Sequence, residues 1–513
     1  MADEPRIDHR DEHDHRDEIP AADTGFHVTQ DEHGLRLELG DVAGPGPDAY
    51  GDDDAPRERP VTAHDLAELA EVEAELLARW PETKIDPTLD RIRLLMDYLG
   101  EPQRSYKVIH VAGTNGKTST VRMIESLLRA FGNRVGRTTS PHLQSITERI
   151  GIDGEPIHPA DFVRVYREIA PYIELVDAAS EQPMSYFEVM VGLAYAAFAD
   201  APVNIAVVEV GMGGTWDATN VVDADVDVIT PVGLDHTDYL GDTLTQIAGE
   251  KAGIIVNPEA ITIVGSQEPE AMRVILERTV EVGTTVARHG FEFGVEESRV
   301  AVGGQTLTLR GLGGLYDDIF IPLSGEHQAH NAAVALAAVE AFYGVSGERP
   351  LSIDTVREGF AAASSPGRLE RVRSTPTTFI DAAHNPHGAA SLAAALERDF
   401  NFSRLIGVLG VLGDKDAVGI FAALEPVLSE VVITQNSSPR ATDAYELAEI
   451  ARDIFGEERV HVEGQLSTAY AVAVELAEEA LEDVGVQSGA GVVITGSVIT
   501  AGDARKMFGK DPQ

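Results

Sequence analysis

The residues best suited to chemistry lie in Ala112-Gly113-Thr114-Asn115-Gly116-Lys117-Thr118-Ser119. Glycines let backbone N–H groups curl around a polyphosphate, a helix N-terminus adds partial positive charge, the lysine reaches the outer phosphates, and the following hydroxyl can ligate Mg²⁺. Val111 stands where the common phosphate-loop pattern has its first glycine, which leaves the shorter Gly-x-x-Gly-Lys-Thr. Such a string also occurs in ordinary loops, so its meaning depends on context. Tyr106 to Val111 reads as a buried strand before it and Val121 to Ala130 as a helix after it, which is the order a nucleotide site requires.

Further polar groups follow strand ends. Asn204 to Gly211 is an apolar run ending in Glu209, and ligands in open α/β sheets sit beyond the carboxyl ends of strands. Val226 to Val232 is a second such run, followed by Leu234-Asp235-His236. Glu209 and His236 are therefore metal-ligand candidates, and the alternative for His236 is a hydrogen-bonded structural residue. Ser140, in Thr138-Thr-Ser-Pro-His-Leu143, reads either as a ligand or as a turn residue. Phe187, at the start of a helix running to Phe198, is either core or a stacking surface for a flat ligand. Lys251, in Gly249-Glu-Lys-Ala-Gly253, is by default a solvated helix lysine.

The elements that must position these groups divide into regions. Residues 1–59 are rich in Asp, Glu, His, Pro and Gly and read as a disordered, dispensable acidic tail, in which His9, His13 and His15 could at most hold a metal weakly. Thr62 is an expected N-cap, and two helices precede the phosphate loop. Strand and helix units then alternate to about residue 363, with a hairpin expected about Gly303-Gly304. The breaker-rich Ser364-Ser-Pro-Gly-Arg368 marks a boundary, and residues 364–513 read as a second α/β domain. There, Asp381, His384 and Asn385, then Asp414 and Lys415, then Gly496 and Ser497 follow strand ends. Two sheets with polar strand ends predict a ligand cleft between them.

Composition narrows the classes. A length of 513 residues suits two domains plus a tail, and no cysteine is present for disulfides or thiolate chemistry. The formal net charge is −45, of which −12 falls in residues 1–60, and this argues against nucleic acid or an anionic membrane as partner. Without an apolar leader or a spanning run, a cytoplasmic protein is expected.

Taken together, Gly113-Thr-Asn-Gly-Lys-Thr118, Thr139-Ser-Pro-His142, Glu209-Val-Gly-Met-Gly-Gly214, Asp217-Ala-Thr-Asn220, Glu250-Lys-Ala-Gly-Ile254, Glu326-His-Gln-Ala-His-Asn331, Pro366-Gly-Arg368 and Asp381-Ala-Ala-His-Asn-Pro386 resemble folylpolyglutamate synthase and dihydrofolate synthase, of the ATP-dependent Mur ligase superfamily. The likeness spans residues 62 to 513, and bacterial members, actinobacterial ones in particular, look similar. It implies an N-terminal P-loop ATPase domain with a mostly parallel sheet over 60–363 and a smaller Rossmann-like domain that binds glutamate. It also implies ATP at the 113–119 loop, Asn331, Arg368 and Asp381, with two Mg²⁺ held by Thr118 and Ser140 and by Glu209 and His236. By the same resemblance Lys251 is carbamylated, His384 and Ser497 contact glutamate, and Phe187 and Asp217 lie at the pterin end of the substrate. Lys117, Lys251, His236 and Arg368 would be the catalytic set. The implied reaction joins L-glutamate to dihydropteroate or reduced folate through an acyl phosphate, in a monomer. One departure is Thr215, where the family often has arginine; Arg137 or Arg149 could supply the missing cation.

Two other readings compete. A peptidoglycan-type Mur ligase would carry a nucleotide-sugar-binding domain before the loop, where this chain has the acidic tail and two helices. A non-catalytic ATP-binding regulator predicts gaps in the metal shell, yet Thr118, Ser140, Glu209, His236 and Lys251 are all present.

Overall fold

Thr62 caps the helix Ala63–Leu77 in a reciprocal box with Asp65, as its side chain predicts. The computed structural model describes residues 59–81, 84, 86–345, 347, 349–484 and 489–513, with an antiparallel pair of strands at Phe26–Asp31 and Gly34–Leu39. That pair falls inside the stretch read as a disordered tail. The rest of the stretch, with His9, His13 and His15, lies outside the described residues.

The first large sheet has eight strands, in the order Thr285–Arg288, Ile261–Val264, Val226–Ile229, Lys107–Ala112, Ile205–Glu209, Val135–Thr138, Ile150–Ile152 and Glu155–Pro156. The first six are mutually parallel, and each of the last two pairs antiparallel with the strand before it. Every residue of Ile205–Glu209 is buried, as expected for a strand covered on both faces. The helix Lys117–Ala130 packs on the Ala-rich helix Glu326–Phe342. Val121, Ile124, Leu127 and Leu128 are all fully buried, each contributing about 1.5–3 kcal/mol by burial. Those side chains fix the helix, and the helix fixes the loop before it.

Val226–Ile229 is shorter than the run to Val232 suggests, because Pro231 has no N–H to offer a neighbouring strand. The hairpin about Gly303-Gly304 is present, joined by a third strand at Leu315–Ile321.

The second sheet has the order Glu370–Ser374, Thr377–Ile380, Gly489–Thr495, Phe402–Leu409, Glu430–Ile433 and Val460–Val462. All neighbours are parallel except the first pair. The two outer strands carry no apolar run, which is why the sequence pattern does not announce them. The fold is thus mixed α/β, with a mostly parallel N-terminal sheet and a separate C-terminal one. Among the described residues no helix is long and apolar enough to cross a membrane.

Candidate active site

The phosphate loop leaves the strand Lys107–Ala112 at Gly113 and enters its helix at Gly116. Gly116 has φ 85°, and a Cβ there would stand 2.6 Å from Asn331 Oδ1. At Gly113, φ 148°, a Cβ would meet Thr230 Oγ1 at 1.9 Å. Both positions accept only glycine, because the backbone is left-handed or closely approached. Lys117 Nζ curls back to donate to the carbonyls of Gly113 and Thr114, at 3.1 and 3.2 Å. Thr114 Oγ1 donates to the Gly233 carbonyl at 3.1 Å. The Ser119 hydroxyl is turned inward, with Ser365 Oγ at 3.0 Å and Gln328 Nε2 donating at 3.2 Å.

Beside the loop is a cavity of about 430 Å³. Its wall includes Thr118, Ser140, Glu209, His236, Lys251, Asn331, Arg368 and Asp381, so every candidate metal ligand faces the same space. Thr118 Oγ1 donates to Glu209 Oε1 at 3.0 Å, while Glu209 Oε2 is buried without a hydrogen-bond partner. Burial raises the Glu209 carboxyl, offset in part by Lys117 and the Thr118 hydroxyl. Among the described residues no three His, Asp or Glu side chains converge closely enough to hold a metal by themselves.

Lys251 is not a solvated helix lysine. It is buried, donates to the Gly113 carbonyl at 2.8 Å, and is lowered to about 7 by burial and by Lys117. His236 has φ 51°, and burial lowers its imidazole to about 4. Asp381 accepts from the Leu369 and Ala383 N–H groups, both at 2.8 Å. Arg368 Nη1 donates to the Gly367 carbonyl, and Asn331 Nδ2 to Gln328 Oε1.

A larger cavity of about 1150 Å³ adjoins the first and is walled by both sheets' loops. Phe187, Trp80 and Trp216 supply aromatic wall, and the phenyl ring lies over Gly211, where a Cβ would be 2.4 Å from it. Both tryptophans of the chain are here. Asp217 also lines it, but its carboxylate is occupied by its own loop: Oδ2 accepts from Met212 N–H at 2.8 Å, and Oδ1 accepts from Thr219 N–H and hydroxyl at 3.0 and 2.5 Å. From the C-terminal sheet come His384, Lys415, Arg440 and Ser497. Ser497 caps the helix Val498–Met507 and accepts from Asn436 Nδ2 at 3.2 Å.

Arg137 and Arg149, the cations expected to make up for Thr215, lie away from both cavities. Arg137 is fully buried against Glu125 at 2.7 Å, and Arg149 donates to His142 Nδ1 and lies over the Tyr186 ring. Thr215 itself lines a separate hollow, on the face of helices Asp90–Tyr98 and Pro269–Val282, while Lys84, Arg91, Lys415 and Arg440 are the cations of the large cavity. The sequence reading passed over Trp80, Trp216, Asp235 and His387; the signal available was that Asp235 and His387 each adjoin a chosen motif.

Comparison with known proteins gives the family and the fold. Residues 111–339 match the Mur ligase middle domain and residues 367–497 the Mur ligase glutamate ligase domain. A dihydrofolate synthase/folylpolyglutamate synthase of Mycobacterium tuberculosis is 56% identical over 468 residues, covering 88% of this chain and 96% of that one. The enzyme of the same description from Escherichia coli is 36% identical over 365 residues, 71% of this chain and 81% of its own. A Mycobacterium tuberculosis folylpolyglutamate synthase solved with ADP superposes with TM-score 0.84 at 56% identity, over 88% of this chain and all of the other. An Escherichia coli structure with DHPP and ADP gives TM-score 0.74 at 31% identity, over 88% and 99%.

Proposed function

The chain belongs to the dihydrofolate synthase/folylpolyglutamate synthase family of Mur ligases, and from that membership we propose that it is an ATP-dependent ligase joining L-glutamate to the carboxylate of a pteroate or folate. The observation that carries the reading is one continuous wall. Thr118, Glu209, Lys251 and Arg368 share a cavity with the phosphate loop, and that cavity opens beside an aromatic one holding His384 and Ser497.

A carboxylate is a poor electrophile. Transfer of the ATP γ-phosphoryl group to it makes an acyl phosphate and releases ADP; the glutamate amine then forms the C–N bond, and phosphate leaves with its C–O bond broken. Lys117 and the N–H groups opening its helix neutralise the phosphate oxygens, and Arg368 adds charge from the other domain. Phe187, Trp80 and Trp216 hold the flat ring system, and His384 and Ser497 orient the glutamate.

Two Mg²⁺ are assigned to the same reading. The unpartnered Glu209 Oε2 and the Thr118 and Ser140 hydroxyls are hard oxygen donors of the kind Mg²⁺ takes together with phosphates and waters, and the neutral His236 ring completes the set. Bound there, Mg²⁺ supplies charge neutralisation at the transferring phosphoryl group. Lys251, with its amine partly neutral near pH 7, can attack CO₂, forming a carbamate N–C bond and losing a proton. Division at residues 363/364, a monomeric state and a cytoplasmic location belong to the same proposal.

The test offers purified protein dihydropteroate and tetrahydrofolate separately, each with ATP, Mg²⁺ and glutamate, and resolves products by mass. Addition of one glutamyl unit to either acceptor, with ADP release, is the expected result. ATP turnover indifferent to both acceptor and glutamate would reject it.

A further inference from the structure

Asp235 lies where the two cavities meet and lines both. Its neighbours come largely from the other sheet's domain. Lys415 Nζ donates to Oδ1 at 3.2 Å, Asn385 Nδ2 donates to Oδ2 at 3.0 Å, and His384 Nε2 stands 3.9 Å from Oδ2. The Asp235 and Lys415 side chains are each only 12% exposed, so the ion pair is largely removed from water. Oδ1 also accepts from the His236 N–H at 2.9 Å, bracing a residue whose backbone is left-handed. A second strut runs parallel to this one: phosphate-loop Asn115 meets His387 at 2.7 Å and Asn385 at 3.3 Å.

These contacts join three things that the reaction must bring together: the phosphate loop, the His236 turn and the His384–Lys415 side of the amino-acid pocket. An exposed ion pair would add little, but a desolvated one that also receives an amide fixes geometry. An acyl phosphate has two fates. Attack by the amine gives amide and phosphate, whereas attack by water gives back the carboxylate and phosphate with ATP spent. The outcome depends on whether the domains stay closed and the amine is held in place.

We propose that Asp235 is a positioning residue that pins the two domains together around the acyl phosphate, so that each ATP consumed yields an amide. The inference rests on the glutamate-ligase reading given above. Asp235→Asn is nearly isosteric and keeps Oδ1 as acceptor for the His236 N–H, while removing both the charge facing Lys415 and the acceptor that Asn385 Nδ2 uses.

The experiment measures ADP and amide product together, with folate acceptor, ATP, Mg²⁺ and varied glutamate. In the wild type one ADP accompanies each amide. In Asp235→Asn the ratio rises to about two or more and the KM for glutamate rises about tenfold, while the KM for ATP stays within about twofold. Lys415→Met, cut from the opposite domain, leaks in the same way, and the double variant is no worse than the poorer single one. A purely structural role would lower kcat through loss of folded protein and leave the ratio at one. The proposal is overturned if Asp235→Asn keeps one ADP per amide, or if the two substitutions multiply. Wild-type protein that forms no glutamyl product would instead remove the function on which the inference stands.

Discussion

Lys251 Nζ donates to the carbonyl of Gly113 at 2.8 Å, bringing a helix amine to the first glycine of a loop 138 residues away. Both partners are buried, and the amine is held far below its usual range by that burial. This single contact ties the phosphate loop to the helix Leu244–Ala252.

Lys251→Ala is expected to abolish turnover, and added bicarbonate restores none of it, because no amine remains to carbamylate. Activity at the wild-type rate from the alanine variant would refute the assignment.

The same amine makes a stability prediction whose sign follows from linkage. Its folded value of about 7 lies below the ordinary 10.5, so below pH 7 both states are protonated and the full cost of a buried ammonium is present. As pH rises from 7 toward 10.5 the folded state releases its proton first and the cost is relieved. In metal-free protein, Lys251→Met should therefore raise Tm at pH 6, and raise it less at pH 9; an equal shift at both would show that the amine does not titrate there.

Glu209→Gln keeps the volume of a buried side chain and removes a carboxylate whose Oε2 has no partner. The Mg²⁺ concentration for half-maximal activity should rise by about 10–100-fold or more, while metal-free Tm stays level or increases, since burial already disfavours the charged form. A lower Tm with unchanged Mg²⁺ dependence would make this residue structural.

Gly116→Ala should raise the KM for ATP and cost about 1–2 kcal/mol of stability from the left-handed backbone alone. The added methyl also meets Asn331 Oδ1 at 2.6 Å. Chemical denaturation and ATP-saturation curves read the two effects separately.

Arg137 is paired with Glu125 at 2.7 Å, with 0% and 5% of the side chains exposed. Arg137→Met leaves Glu125 buried without its counter-ion and should cost about 3–5 kcal/mol. The KM for folate of the folded fraction should not change, and a specific rise in it would return this arginine to the substrate site.

Some of this was legible in local pattern. The phosphate loop was recognisable because strand, glycine-lysine loop and helix are contiguous, and glycines at 113 and 116 answer to steric demands set within a few residues. Capping at Thr62, the hairpin about Gly303 and the Ala-rich helix after Gly325 were equally local. The outer strands Glu370–Ser374 and Val460–Val462 were not, since edge positions need no apolar run.

Residue order and type by themselves determined the class of fold, the nucleotide loop and the set of polar groups following strand ends, because those properties depend on short-range periodicity and sterics. Only the tertiary structure decided which groups are spent internally and which face the cavities. Arg137 went to Glu125, Asp217 to its own loop, and Lys251 into a buried site at the phosphate loop. The junction at Asp235 depends on side chains up to 180 residues apart. Burial and pairing set whether a charge is free to act, and both arise from the packing of distant segments, which no local stretch of sequence encodes.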